Sequence, residues 1–435
     1  MTESTSGAGV GVAREPDSSD RELDLVVFGA TGFTGRQAAA YVAAHAPKAL
    51  KWGLAARSAS KLERVRSSLA VDVPLIQADA QDALAIDAMA QRTKVVLTTV
   101  GPYARYGTAL FAACAAAGTH YVDITGETAW VRRMIDVHHT TAKATGAVMV
   151  PFCGFDSVPS DLGAWMMVDW IRRHWQQSTR SVRMGFQLRG GVNGGTLASA
   201  LHMGENPQLK REIARPFLLD PDPEVVVARV ARAHRDPTGP WYDPDLGDPS
   251  QGGGGRWLAP FIMASINTRV VRRSAAVWAA QGQPYGDDFA YQEGMRAKSR
   301  GLARMGALGL GGAVLVLSTS VGRMLVRRLA PSPGEGPSEA QMDGGFFKSE
   351  LVAEASDGRK VRGRVSGQGD PGNRCTVRML CESAFALCGD HSALPAAQLG
   401  GGVWTPAAAL GGVLLDRLRA AGMTFEVTAP TGVAA

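Results

Sequence analysis

The run Leu23-Asp24-Leu25-Val26-Val27-Phe28 ends in Gly29-Ala30-Thr31-Gly32-Phe33-Thr34-Gly35 and passes straight into a helical stretch, Arg36 to Ala44. Few local patterns constrain a chain so strongly. A strand that turns through spaced glycines into a helix brings backbone N–H groups within reach of a phosphate, and the helix N-terminus adds partial positive charge. Further short apolar runs follow at Trp52 to Ala56, Pro74 to Gln77, Val95 to Val100, Tyr121 to Ile124 and Ala147 to Val150, with helical segments between them. Buried-looking strands alternating with helices predict an α/β fold: a parallel, doubly wound sheet of Rossmann type over residues 23–158.

After about Ser160 the alternation stops. A strand is expected at Ser181 to Leu188, a Pro/Asp/Gly-rich loop region around one helix at Glu205 to Gly255, and strands at Gly345 to Ala355, Lys360 to Gly367 and Cys375 to Cys381. These predict a second, α+β domain over 159–402. Thr405 to Ala421 reads as a helix, with Thr405 as cap and Pro406 in its first turn. Residues 1–22, rich in Ser, Gly and Thr without an apolar core, read as a disordered tail.

The balance of the 435 residues is that of a globular protein, with 45% hydrophobic and 20% charged side chains and a formal charge of +6. The basic excess is diffuse. Without a zinc-finger pattern, an aromatic stacking platform or a long Lys/Arg run, no nucleic-acid partner is expected. An anionic membrane surface or an acidic protein suits it better. Five cysteines point to a reducing, cytoplasmic setting. Cys375, Cys381, Cys388 and His391 lack the paired spacing of common zinc sites, so no metal is expected.

Gly29, Thr31, Gly32, Phe33, Thr34 and Gly35 are the expected cradle of a dinucleotide pyrophosphate. The end of the second strand selects between dinucleotides. An NAD enzyme usually places an acid there for the ribose 2′-hydroxyl; this chain has Arg57, followed by Ser58 and Lys61. Two cations and no repelling carboxylate favour the 2′-phosphate of NADP. Asp79, after the third strand, would border the adenine. The loop after the fourth strand, Gly101 to Gly107, lies near the nicotinamide in such a fold, with Gly101 and Pro102 shaping it.

Gly29 to Gly35, Ala56-Arg57-Ser58 through Lys61-Leu62, Val100-Gly101-Pro102-Tyr103-Ala104-Arg105-Tyr106-Gly107, Ala117 to Asp123 and Gly154-Phe155-Asp156-Ser157-Val158-Pro159-Ser160-Asp161 together resemble the saccharopine dehydrogenase-like oxidoreductases. Gly194 to Ser199 and Gly401 to Ala407 also fit the trans-acting enoyl reductase branch. That resemblance implies NADPH-dependent reduction of an enoyl thioester, in trans for a polyketide synthase or acyl carrier, in lipid and glycolipid biosynthesis. It also implies that the C-terminal segment, 403–435, packs back on the Rossmann domain.

Conjugate reduction needs a donor to the thioester oxygen and a proton for the α-carbon. Tyr103 and Tyr106 are the candidate hydroxyl donors, with packing as the alternative for each. Asp156, Ser157, Thr196 and Ser199 are candidate substrate contacts; for the turn around Asp156, capping chemistry at Ser160 and Asp161 is the alternative. A saccharopine-type C–N reaction would need an arginine clamp, for which Arg183 and Arg189 are the candidates in the early second domain. A non-catalytic, membrane-associated NADP-binding protein is a further alternative.

Residues 305–322 carry no charge and are flanked by Arg296, Lys298, Arg300 and Arg304 before, and Arg323, Arg327 and Arg328 after. The length reaches the lower limit of a spanning helix, but five glycines weaken it. An apolar hairpin or surface helix dipping into the inner face of the plasma membrane is expected, with burial in the core or in a homodimer as the alternative.

Overall fold

The computed structural model describes residues 21–191, 201, 211–220, 239–247, 255–329 and 336–429. Six short strands near the N-terminal end, β1 (Leu23–Phe28), β2 (Trp52–Ala56), β3 (Leu75–Gln77), β4 (Thr93–Thr98), β5 (His120–Val122) and β6 (Val148–Val150), lie parallel in the order β6-β5-β4-β1-β2-β3. This is the doubly wound Rossmann order, reversing between β1 and β4. Alternate residues of β1 feed opposite faces: Leu25 and Val27 join one apolar cluster, Val26 and Phe28 another. A parallel sheet must be covered on both faces. The Ala83–Gln91, Thr108–Ala117 and Thr128–Thr145 helices pack their apolar sides into the cluster that holds Val26 and Phe28.

On the other face the Phe33–His45 and Ala59–Leu69 helices cover only part of the sheet. The remainder, over β4 and β5, is filled from the far end of the chain by the Thr376–Gly389 helix. This corrects two expectations. Cys375 to Cys381 is not a strand, and the stretch belongs to the covering of the first sheet rather than to the second domain. Gly402–Val403 (β13) then pairs with β6 as a seventh parallel strand.

The second sheet has the order β14-β12-β11-β7-β10-β9-β8. Its strands are β7 (Thr179–Arg189), β8 (Trp241–Asp243), β9 (Arg256–Ala259), β10 (Ala290–Ala297), β11 (Phe346–Ala355), β12 (Lys360–Gln368) and β14 (Thr424–Thr428). β7 and β10 are parallel; the other neighbours are antiparallel. β12 alternates between buried and more open residues, as a strand with one covered face must. The cover is the Val158–Trp175 helix, whose Gly163 lies against Leu351 and Val365. One apolar core therefore runs continuously from Leu25 and Val27 to Phe186, Phe347 and Val365.

The expected single helix from Thr405 to Ala421 is two, Pro406–Ala409 and Gly411–Ala420, broken at Leu410. They pack chiefly on the Val158–Trp175 and Thr376–Gly389 helices, and the segment returns to the Rossmann sheet as expected through Val403, which pairs with β6, and Trp404, whose N–H donates to Met149 O at 2.9 Å. Arg21 and Glu22, placed in the tail by the sequence, are tied down: Arg21 donates to Ala90 O at 3.2 Å and Glu22 pairs with Arg92 at 2.8 Å. Most of Glu205 to Gly255 lies outside the described residues.

Candidate functional site

Because the strands of the first sheet are parallel, their C-terminal ends share one edge. At the end of β1, Gly29 has φ +89°, and a Cβ there would meet Val100 Cγ2 at 2.8 Å and Thr99 Oγ1 at 2.9 Å. The loops after β1 and β4 thus touch at the point where the strand order reverses, the usual place for a dinucleotide in such a sheet. A Cβ on Gly35 would overlap the Gly29 carbonyl and press on Thr99 Oγ1 at 2.9 Å, so glycine is what lets the helix start this close to the strand. A Cβ on Gly32 would meet only Gly29 O, at 3.3 Å, and otherwise open space.

The Phe33–His45 helix has no side-chain cap and no acid in its first turn. Its leading N–H groups, at Phe33, Thr34 and Gly35, keep their donor capacity and the positive end of the helix dipole for an anion. Thr31 contributes its carbonyl to Arg36 Nη1 at 2.8 Å, which steadies the turn. This cradle fits a pyrophosphate.

Arg57 follows β2 directly, and Lys61 lies in the first turn of the next helix. Both side chains are exposed and neither is held by a carboxylate among the described residues, which leaves both cations available where a 2′-phosphate would sit. Ser58 caps that helix, accepting from Lys61 N at 3.4 Å. Asp79 Oδ1 accepts from Gln81 N at 3.0 Å, so the carboxylate shapes the turn after β3 while remaining exposed.

The loop after β4 is held by a residue the sequence reading missed. Glu127, nearly fully buried, accepts from Tyr103 N at 2.8 Å and Ala104 N at 3.0 Å, fixing the start of the Tyr103–Tyr106 turn beside Gly101 and Pro102. Tyr103 is then corrected from catalyst to support. Its ring is 5% exposed, and its hydroxyl donates to Thr98 O at 3.2 Å and accepts from Ile124 N at 3.4 Å. Burial pushes its pKa far above the usual phenol range. Tyr106 is half-buried, with the Arg105 guanidinium 5.1 Å from its ring centre, and makes no hydrogen bond among the described residues.

Beyond β5, Asp123 is fully buried and accepts from Tyr121 Oη at 2.7 Å, Thr125 N at 2.9 Å and Phe152 N at 3.1 Å. Burial outweighs these bonds and lifts its carboxyl to about 7. It ties the loops after β5 and β6 together. In the second of these loops Phe155 N donates to Thr376 Oγ1 at 3.1 Å, so the far end of the chain fixes the backbone beside Asp156.

Asp156 itself is partly exposed, makes no hydrogen bond among the described residues, and has its carboxyl pushed up to about 6 by burial. Its Oδ2 lies 3.6 Å from the position a Cβ on Gly126 would take, so it borders the loop after β5 as well. A carboxyl poised to hold a proton near neutral pH, at the nucleotide edge and without a partner among the described residues, is a candidate general acid.

Ser157, offered as a substrate contact, instead turns inward. Its Oγ lies 3.4 Å from Asn267 Oδ1; Asn267 Nδ2 donates to Glu293 Oε1 at 2.8 Å, and Ser160 and Tyr291 donate to Glu293 Oε2, each at 2.7 Å. Asp161 is likewise drawn inward, accepting from Ala407 N at 2.8 Å and from the Ser274 hydroxyl. Thr196 and Ser199 lie outside the described residues. The arginine-clamp idea loses Arg183, which pairs with Asp243 at 3.1 Å and Asp245 at 2.7 Å. Arg189 lines an opening of about 610 Å³ with Gly190, Gly191, Pro337 and Gln341, whose further wall, Gly336, abuts the Phe33 ring.

The saccharopine dehydrogenase NADP binding domain model matches residues 25–150, the segment that carries this cradle. Fold and site define an NADP-dependent oxidoreductase. A trans-acting enoyl reductase of Mycobacterium tuberculosis is 36% identical over 441 residues, covering 94% of this chain and 99% of its own. One from Mycobacterium leprae is 36% identical over 432 residues, covering 94% and 98%. Among solved structures, apo saccharopine dehydrogenase (L-Glu forming) from Saccharomyces cerevisiae has a TM-score of 0.51 at 12% identity, over 93% of this chain and 99% of that one, a likeness of fold alone. The chain belongs to the family of trans-acting enoyl reductases.

Proposed function

We propose that the protein reduces the α,β-double bond of an enoyl thioester, working in trans for a polyketide-type synthase or acyl carrier in lipid or glycolipid biosynthesis. The observation that carries this reading is Asp156, a protonatable carboxyl without a partner among the described residues, on the same edge as the nucleotide cradle. When bound, NADPH would supply the hydride for the new C–H bond at the β-carbon and would itself be oxidised to NADP. The chain's own residues handle the charge that follows. As the C=C π pair moves towards the thioester oxygen, the Tyr106 hydroxyl donates to that oxygen, and the Asp156 carboxyl delivers a proton to the α-carbon. The resulting Asp156 carboxylate, being partly exposed, takes its next proton from water.

Gly29 to Gly35 would hold the pyrophosphate, and Arg57 and Lys61 the 2′-phosphate. Glu127 and Tyr103 keep the loop between cofactor and substrate in place. The commitment of Arg183 to Asp243 and Asp245 supports the enoyl reading over a C–N reaction on a polycarboxylate substrate. The test is NADPH oxidation with an enoyl thioester of pantetheine and, separately, with saccharopine. Turnover with the thioester, lost in Asp156→Asn, supports the proposal. Turnover with saccharopine alone replaces it with the C–N reaction, and turnover with neither favours a non-catalytic NADP-binding role.

A further inference from the structure

The Arg300–Ser318 helix is long and apolar enough to cross a membrane by length and composition, yet only 6% of its apolar window is buried. Its first turns rest on β9, through Ala303 and Gly306, the latter against Ala259. From Leu308 onward it stands clear of the body, about 16 Å at ~1.5 Å per residue; a Cβ on Gly309, Gly311 or Gly312 would meet nothing within 4 Å. At Thr319 the chain turns back into the Ser320–Leu329 helix. Gly322 makes the corner possible, since a Cβ there would lie 2.8 Å from both Val316 C and Thr319 Oγ1. The result is a helical hairpin presenting Leu308, Val314, Leu315, Val321, Met324 and Leu325 to solvent.

Exposure on this scale has to be covered, and three observations on the hairpin and its base specify the cover. First, charge: the sequence from Gly294 to Gly334 contains no Asp or Glu. Lys298, Arg300, Arg304 and Arg328 are exposed around the apolar face, although Arg296 is taken by Glu350 at 2.8 Å. Second, aromatic rings at the base: Arg300 lies 5.7 Å from the Trp257 ring centre, and Trp257 lies 5.4 Å from Tyr242, which is half exposed. Amphipathic rings and cations beside an apolar surface match the layering of a lipid interface. Third, the corner is polar. Ser318, Thr319 and Ser320 sit there, and Arg323 Nη1 donates to Leu317 O at 3.1 Å. An arm of about 16 Å is too short to cross a hydrocarbon core of ~30 Å, and hydroxyls and a guanidinium at its tip suit immersion only to the headgroup–acyl boundary, roughly 5–10 Å deep. Both ends of the hairpin lead into strands of one sheet, β10 and β11, so they must lie on the same side of the bilayer.

We infer that the hairpin formed by Arg300–Ser318 and Ser320–Leu329 docks the protein on an anionic lipid bilayer as a monotopic anchor. This goes beyond the catalytic proposal and does not depend on it. The full chain is floated with phosphatidylglycerol–phosphatidylcholine vesicles and with phosphatidylcholine vesicles. It is expected to rise with the first and much less with the second. A double variant, Leu308→Asp with Leu315→Asp, alters only exposed positions and is expected to lose at least tenfold in partition. Arg304→Gln with Arg328→Gln is expected to lose about fivefold per side chain. Both variants should bind NADPH and elute as the parent does. The inference is overturned if the parent ignores anionic vesicles or if the Leu substitutions leave partition unchanged. It is also overturned if they split a dimer that does not bind vesicles, which would assign the face to a second copy of the chain.

Discussion

Gly32 and Gly35 stand three residues apart in one turn, and their surroundings predict opposite failures. In Gly35→Ala the new methyl overlaps the Gly29 carbonyl and lies 2.7 Å from Gly29 C and 2.9 Å from Thr99 Oγ1, where ordinary contact starts at 3.4 Å. Backbone and the base of a threonine cannot yield cheaply, so the Phe33–His45 helix must move off β1. Overpacking of this kind costs about 1–3 kcal/mol, which lowers the melting temperature of a protein this size by about 1–3 °C, at ~2 cal/mol/K of unfolding entropy per residue. That loss is present without cofactor. In Gly32→Ala the methyl meets only Gly29 O at 3.3 Å and otherwise points into open space, so the apo protein should melt within about 1 °C of the parent. The same open space is where the pyrophosphate would lie, and the variant should bind NADPH at least tenfold more weakly, about 1.4 kcal/mol. Thermal melts of apo protein with NADPH titrations read both quantities. Unchanged NADPH affinity in Gly32→Ala would refute the placement of the pyrophosphate.

Arg57→Glu should weaken NADPH by tenfold or more in titrations and leave NADH nearly unaffected, because it reverses a charge at the 2′-phosphate. Tyr106→Phe should lower kcat in steady-state assays with NADPH affinity kept, whereas Tyr103→Phe should cost about 1 kcal/mol of stability on thermal unfolding through its lost bond to Thr98. With the Asp156 carboxyl at about 6, the acid form is lost as pH rises, so a pH–rate profile should fall above about 6 and lose that limb in Asp156→Asn. Asp123 and Asp161 are both lifted by burial to about 7. Their contribution to stability is full below the unfolded carboxyl pKa near 4 and lost as pH rises through 7. The melting temperature should therefore fall between about pH 4 and 7, less steeply in Asp161→Asn.

The nucleotide half was legible because its signals are local. A strand, a glycine turn, a helix and an unpaired cation at the second strand's end all lie within a few residues of one another. The residues missed act over distance. Glu127 fixes a loop more than twenty positions upstream, and Thr376 holds Phe155 from the far end of the chain. Neither stands out in its own neighbourhood, although Asp123, a carboxylate directly after a buried strand, gave a usable hint. Tyr103 and Tyr106 look alike in sequence; only the folded loop decides that one hydroxyl meets a backbone carbonyl and the other stays free. The error at Cys375 to Cys381 has a different cause. The Thr376–Gly389 helix is buried on nearly all sides, and a helix without a polar face carries no period by which to tell it from a strand.

Enoyl reduction is tested most directly by following the label from NADPH deuterated at the transferable C4 position into the product of an enoyl pantetheine thioester. The account predicts one deuterium at the β-carbon of the saturated acyl chain, with the α-hydrogen drawn from solvent, and loss of product in Asp156→Asn. Deuterium at a carbon bonded to nitrogen in an amine substrate, with none in the acyl product, would contradict it.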